Sequence, residues 1–183
     1  MRLLVSPMNM EEAHAALAGG ADILDVKNPK EGSLGANFPW VIRSVADLAG
    51  GRVPVSATIG DMEFKPGTAS LAALGAASSG ADYVKAGLLG VKTRDQAEEM
   101  LKAIVRAVKD LDPEKKVVAS GYSDYLRVGS ISPMLLPAAA SKAGADVVMV
   151  DTAIKDGKPT FDFMGEEDLA DFIELGHSFD LEV

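Results

Sequence analysis

Apolar positions along the chain follow two alternating rhythms. Short, nearly continuous apolar runs fall at residues 3–6, 23–27, 53–58, 83–87, 117–121 and 147–151, the pattern of buried strands. Between and after them, apolar residues recur at helical spacing over residues 11–18, 40–48, 69–79, 93–109, 133–143 and 166–176. Strand and helix therefore alternate through six units, which predicts an α/β protein with a parallel sheet and right-handed crossovers. No linker-like or low-complexity stretch divides the chain, so a single domain over residues 1–183 is expected.

A repeat sharpens the architecture. Gly20-Ala21-Asp22, Gly80-Ala81-Asp82 and Gly144-Ala145-Asp146 each stand between a predicted helix and the next strand, 60 and 64 residues apart. Each glycine can take the left-handed conformation that ends a helix. Two units thus fill about 60 residues and one unit about 30, the size from which a (β/α)8 barrel of about 250 residues is built. The chain has 183 residues, enough for six such units, and Leu181-Glu182-Val183 reads as the start of a seventh strand. The expectation is a TIM (β/α)8-type barrel that stops after six βα units and lacks strands seven and eight. An open doubly wound sheet is the alternative. It is weakened because neither a Gly-x-Gly-x-x-Gly nor a phosphate-loop signature follows the first strand.

Composition narrows the function classes. Eighteen basic and 27 acidic side chains give a net charge of −9, which argues against nucleic acid or an anionic membrane as the main partner. The chain has no cysteine, so disulfides, thiolate catalysis and Cys-based zinc or iron–sulfur sites are excluded. No apolar run approaches the 18 or so residues of a membrane span. Met1-Arg2-Leu3-Leu4 passes straight into a strand pattern, so a cytoplasmic location is expected.

Candidate chemistry follows from strand parity. Positions of equal parity share one face of a strand. Three residues past the repeat aspartate stand Asp25, Lys85 and Met149, and five past it stand Lys27, Gly87 and Asp151. All six fall on one face, on alternate strands, toward the carboxyl ends, where a barrel builds its active site. The intervening Val26, Val84 and Val150 would face the helices. Two lysines and two aspartates therefore converge in one mouth. A self-satisfied interior ion-pair network is the bland reading, but buried pairs are costly to desolvate and a purely structural core would use Val or Leu.

A lysine in such a mouth is a candidate Schiff-base nucleophile. A neutral amine is required, so a value near 10.4 would have to fall by roughly 3 units. Burial and a second ammonium push that way; ionised Asp25 and Asp151 push the other. Spacing alone leaves open which of Lys27 and Lys85 forms the imine and which moves protons. Directly after Lys27, residues 28–37 form a long, polar, glycine-rich loop, and Asp151-Thr152-Ala153-Ile154-Lys155-Asp156-Gly157 brings Lys155 near the same mouth. Lysines without aromatics suit a small anion such as a phosphate ester. Ser56, Thr58, Ser120 and Tyr122 add hydroxyls whose facing the repeat does not decide. Elsewhere, His14 and His177 read as surface or packing residues, no spacing argues for a metal, Glu98, Glu99 and Lys102 read as a solvated helix face, and Trp40 with Phe38 reads as a side cap of the barrel.

Asp25-Val26-Lys27-Asn28-Pro29-Lys30-Glu31-Gly32-Ser33-Leu34-Gly35-Ala36-Asn37-Phe38-Pro39-Trp40 closely resembles the (5-formylfuran-3-yl)methyl phosphate synthase family, also called 4-(hydroxymethyl)-2-furancarboxaldehyde-phosphate synthase. Leu3-Leu4-Val5-Ser6-Pro7, Lys65-Pro66-Gly67-Thr68 and the Asp151–Gly157 stretch match the same pattern. The resemblance implies a TIM-barrel lyase of methanofuran biosynthesis that condenses two glyceraldehyde 3-phosphates into a phosphorylated furan aldehyde, losing phosphate and water. It implies Lys27 as the Schiff-base lysine and Lys85 as the proton acceptor, with Asp25, Asp151 and Lys155 completing the site and no metal or redox cofactor. The partner implied is a small phosphorylated aldehyde, without nucleic acid or membrane, and with homo-oligomerisation left open. Family members continue for about 50 further residues through strands seven and eight, which commonly carry the phosphate loops of such barrels. The competing readings are another Schiff-base aldolase of small sugar phosphates, and a non-catalytic truncated barrel that binds a phosphate ester or a partner chain.

Overall fold

The computed structural model describes residues 2–183. Six strands, β1 (Leu4–Val5), β2 (Ile23–Val26), β3 (Val55–Glu63), β4 (Tyr83–Gly90), β5 (Lys116–Tyr122) and β6 (Val147–Asp151), pair in parallel in the order of the chain. A doubly wound sheet reverses its strand order at a switch point; this one never does. The doubly wound alternative is therefore wrong, and the six strands form the curled half of a barrel. Glu182 adds a parallel bridge to Val147, so the predicted onset of a seventh strand is present.

Helices α1 (Met10–Ala18), α2 (Pro39–Ala49), α3 (Pro66–Ser78), α4 (Arg94–Lys109), α6 (Leu136–Ala143) and α7 (Glu166–Ser178) lie where helical spacing placed them, and a short α5 (Tyr125–Val128) follows β5. Their apolar faces pack on one side of the sheet. Leu24, Val26, Ala57, Val84, Ala86, Val117, Ala119 and Val148 of the strands join Val45, Ala73, Leu101 and Ile104 of the helices in one core. Two sequence readings need correction. Glu98 is no solvated residue: it lies mostly buried and bridges Lys102 of its own helix and Lys142 of α6 at 2.5 and 2.8 Å. Phe38 and Trp40 cap nothing; they are exposed and stack on each other with centroids 4.6 Å apart.

The Gly-Ala-Asp repeat has a physical job. Gly20, Gly80 and Gly144 all carry positive φ, between 81° and 103°, so a side chain there would be strained. The following alanines are buried. Each aspartate then reaches back to the strand before it. The Asp22, Asp82 and Asp146 carboxylates accept the backbone N–H of Leu3, Val55 and Val117 at 2.7, 2.8 and 2.8 Å. The repeat thus staples neighbouring strands at their amino ends, far from the mouth.

Candidate active site

Register places the other parity set on the concave face. Asp25 pairs with Ser56, Lys85 with Thr58, Ser120 with Gly87, and Asp151 with Tyr122. Paired residues of a parallel ladder share a face, so the hydroxyls whose facing parity left open belong to the same concave surface as the lysines and aspartates. Lys85 and Ser56 stand in the wall of a cavity of about 320 Å³ on this face.

The five expected site residues form two ion pairs and one unpaired lysine. Lys85 Nζ lies 2.8 Å from Asp25 Oδ2, with side chains only 2% and 1% exposed. Ser6 Oγ donates to the same Asp25 oxygen at 3.1 Å, while Asp25 Oδ1 and the hydroxyls of Ser56 and Ser120 are buried without a hydrogen-bond partner among the described residues. Lys155 Nζ lies 2.6 Å from Asp151 Oδ1 and 2.9 Å from Thr152 Oγ1. This second pair is the open one, with side chains 50% and 22% exposed. Burial by itself pushes the Asp151 carboxyl up. The Lys155 hydrogen bond, the Thr152 N–H and the charges of Lys155 and Lys27 outweigh it and hold the group below its ordinary value. Lys27, at the carboxyl end of β2, is thus close enough to act on Asp151 electrostatically. Among the described residues Lys27 Nζ has no ion-pair or hydrogen-bond partner.

Sequence reasoning missed the residues that hold these loops in place. Ser33 Oγ donates to the Thr152 carbonyl at 2.8 Å and lies 3.3 Å from Asp151 Oδ2, joining the loop after β2 to the loop after β6. The fully buried Asp124 carboxylate accepts the N–H groups of Ala153 and Ile154 at 2.7 and 3.0 Å, which turns the chain so that Lys155 folds back over Asp151. Asp61 accepts the Tyr122 hydroxyl and, at 3.0 Å, the Leu34 N–H. Burial first, then the charge and hydrogen bond of Asp61, push the Tyr122 phenol far above its usual value. Among the described residues no group of three or more His, Asp or Glu side chains could hold a metal ion, and no helix is long and apolar enough to cross a membrane.

The 4-HFC-P synthase family profile matches residues 3–183. The chain belongs to the 4-HFC-P synthase family. It is 68% identical over 182 residues to the (5-formylfuran-3-yl)methyl phosphate synthase of Methanosarcina acetivorans, covering all of this chain and 78% of that protein. Identity to the synthase of the same name from Methanocaldococcus jannaschii is 60% over 181 residues, covering 99% of this chain and 77% of the relative. As a family member the chain is an enzyme, a lyase of methanofuran biosynthesis. Among solved structures, deoxyribose phosphate aldolase from Aeropyrum pernix superposes with a TM-score of 0.61 at 14% identity, over 98% of this chain and 72% of the aldolase. At that identity the likeness is one of fold: six parallel strands curled as part of a TIM-like barrel.

Proposed function

We propose that this 4-HFC-P synthase family member condenses two glyceraldehyde 3-phosphates into 4-(hydroxymethyl)-2-furancarboxaldehyde phosphate through a Schiff base on Lys27. The observation that carries the reading is the contrast among the three lysines of the mouth. Lys85 and Lys155 are each held in an ion pair, whereas Lys27 Nζ, whose charge acts on Asp151, is free of partners among the described residues. A nucleophile must be unengaged to attack a carbonyl; an acid–base group works from a fixed position.

The product's skeleton constrains the steps. Its new carbon–carbon bond joins C3 of the molecule that loses phosphate to C2 of the one that keeps it. Imine formation at C1 of the retained molecule releases water, and removal of its C2 proton gives an enamine nucleophilic at C2. Loss of the C2 proton and of phosphate from the other molecule gives a 2-hydroxyenal, electrophilic at C3. Attack forms the bond, and a proton taken up at C2 of the former enal regenerates its aldehyde. The C2 hydroxyl then closes on the imine carbon. Loss of water and of the Lys27 amine completes the furan. Two substrates yield one furan phosphate, one phosphate and two waters, with no net oxidation, so no redox partner is needed.

In this reading Lys85, paired with Asp25, moves the C2 proton, and Lys155, paired with Asp151, meets the departing or retained phosphate end. The substrate is then a small phosphorylated aldehyde, acted on in the cytoplasm without nucleic acid or membrane. Incubation with glyceraldehyde 3-phosphate followed by borohydride reduction should leave a covalent adduct that peptide mass spectrometry places on Lys27. Lys27→Ala should abolish both the adduct and the ultraviolet-absorbing product. An adduct on Lys85 instead would reverse the two roles.

A further inference from the structure

The loop after Lys27 does not stay beside β2. Gly35 accepts the Thr58 hydroxyl of β3 through its carbonyl at 2.7 Å, Leu34 is buried and gives its N–H to Asp61, and Ser33 reaches the β6 loop. Residues 28–37 therefore run as a strap over the carboxyl ends of the strands. Asp61 is its central anchor. One carboxylate oxygen takes the strap's Leu34 N–H, and the other takes the hydroxyl of Tyr122, a fully buried residue on β5.

The surroundings are shaped around that carboxylate from two sides. A Cβ on Gly32, in the strap, would run into one Asp61 oxygen; a Cβ on Gly87, two residues past Lys85, would run into the other and into the Tyr122 hydroxyl. The strap in turn is tied to the lysine before it. The Asn28 N–H donates to the Gly35 carbonyl at 2.8 Å, and the Asn37 side-chain amide donates to the Lys27 carbonyl at 3.3 Å.

We infer that Asp61 and Tyr122 are positioning residues for this reaction: together they latch the strap, and through it Lys27, over the carboxyl-end mouth. The inference rests on the reading of Lys27 as the imine-forming residue. Its chemical sense is that an imine exposed to water hydrolyses, so a strap crossing the mouth favours carbon–carbon bond formation over return to the free aldehyde. Neither residue needs to touch substrate.

The test uses the full chain with Tyr122→Phe, which removes only a hydroxyl, and Asp61→Asn. Lys30 is an exposed trypsin site within the strap, so its cleavage rate reads the latch without reference to catalysis. Tyr122→Phe should be cut at Lys30 about 10-fold faster than the wild type at an unchanged melting temperature, and its kcat for furan formation should fall about 10-fold with KM within about 2-fold. Asp61→Asn should do more of both. Cleavage of Tyr122→Phe at the wild-type rate, or faster cleavage with unchanged kcat, overturns the inference, and Tyr122→Phe alone decides it if Asp61→Asn does not fold. A wild-type protein that gives no Lys27 adduct and no furan sinks the functional reading instead, and the Lys30 rate still judges the latch.

Discussion

The two ends of the same six strands use aspartate differently. At the amino ends Asp22, Asp82 and Asp146 each accept a backbone N–H from the neighbouring strand, at the sheet rim, and Asp146 alone of the three also pairs with a lysine, Lys109 at 2.9 Å. Three copies stand on alternate strands because each solves the same problem, how to begin a strand beside its predecessor. At the carboxyl ends Asp25 and Asp151 each hold a lysine, and no two of the corresponding positions are alike. Repetition therefore marks where the chain builds a sheet, and broken repetition marks where it builds a site. A parallel barrel divides in this way in general, with stability at the amino-terminal face and chemistry at the other.

The division is broken most forcefully at Lys85. Lys85→Met leaves the Asp25 carboxylate buried with only the Ser6 hydroxyl, and stripping a buried pair of one partner costs about 3–5 kcal/mol. Urea denaturation should show that loss, and kcat should fall by about 10²-fold or more from the missing acid–base group. Adding Asp25→Leu should recover much of the stability and none of the activity. A single variant that kept full stability would mean that the pair is not buried in solution. At the amino end the same experiment should come out differently. Asp82→Ala removes one charge-assisted acceptor from the Val55 N–H and should cost about 1 kcal/mol in urea, with kcat and KM unchanged. If turnover dropped there as well, the two ends would not be independent.

How much of this was legible in the chain depends on whether parity held. The repeat supplied a ruler for β2, β4 and β6, and the register bears it out for Asp25, Lys85 and Asp151 on one face and Val26, Val84 and Val150 against the helices, while Lys27 lies just past the end of β2. Asp61 lay outside its reach. β3 was expected to end at Thr58 but continues to Glu63, and its pairing with β4 slips between Thr58 and Asp61. Such an irregularity re-aims side chains that simple alternation would send elsewhere. Parity leaves Tyr122 as one of several hydroxyls of undecided facing, and Ser33 is only part of the loop after Lys27; what the chain does not show is their partners. Their partners stand 61 and 118 residues away, and a contact between side chains that far apart leaves no mark on local periodicity. The only hint was glycine at Gly32 and Gly87, which is informative only after the carboxylate between them is seen.

The smallest expected effect concerns the rim pair, and it tests whether the open Lys155–Asp151 contact is formed in solution. Asp151 is held below its ordinary value because its partners outweigh burial. For a carboxyl lowered by folding, the stabilisation is complete above the unfolded value near 3.9 and is lost as the pH falls through the lower folded value. The pair should therefore survive a descent to pH 4 and release only in more acidic solution. Its contribution to stability should be small, under about 1 kcal/mol, because half of the lysine side chain is in water. Carboxyl carbon chemical shifts followed by NMR would show the Asp151 midpoint directly. In Lys155→Ala the hydrogen bond and the nearer positive charge are gone while burial remains, so the midpoint should move up. A midpoint that stayed where it was would mean that Lys155 points into solvent and leaves Asp151 to Thr152 and Lys27, and the phosphate end of the substrate would then have a free lysine to meet rather than a paired one.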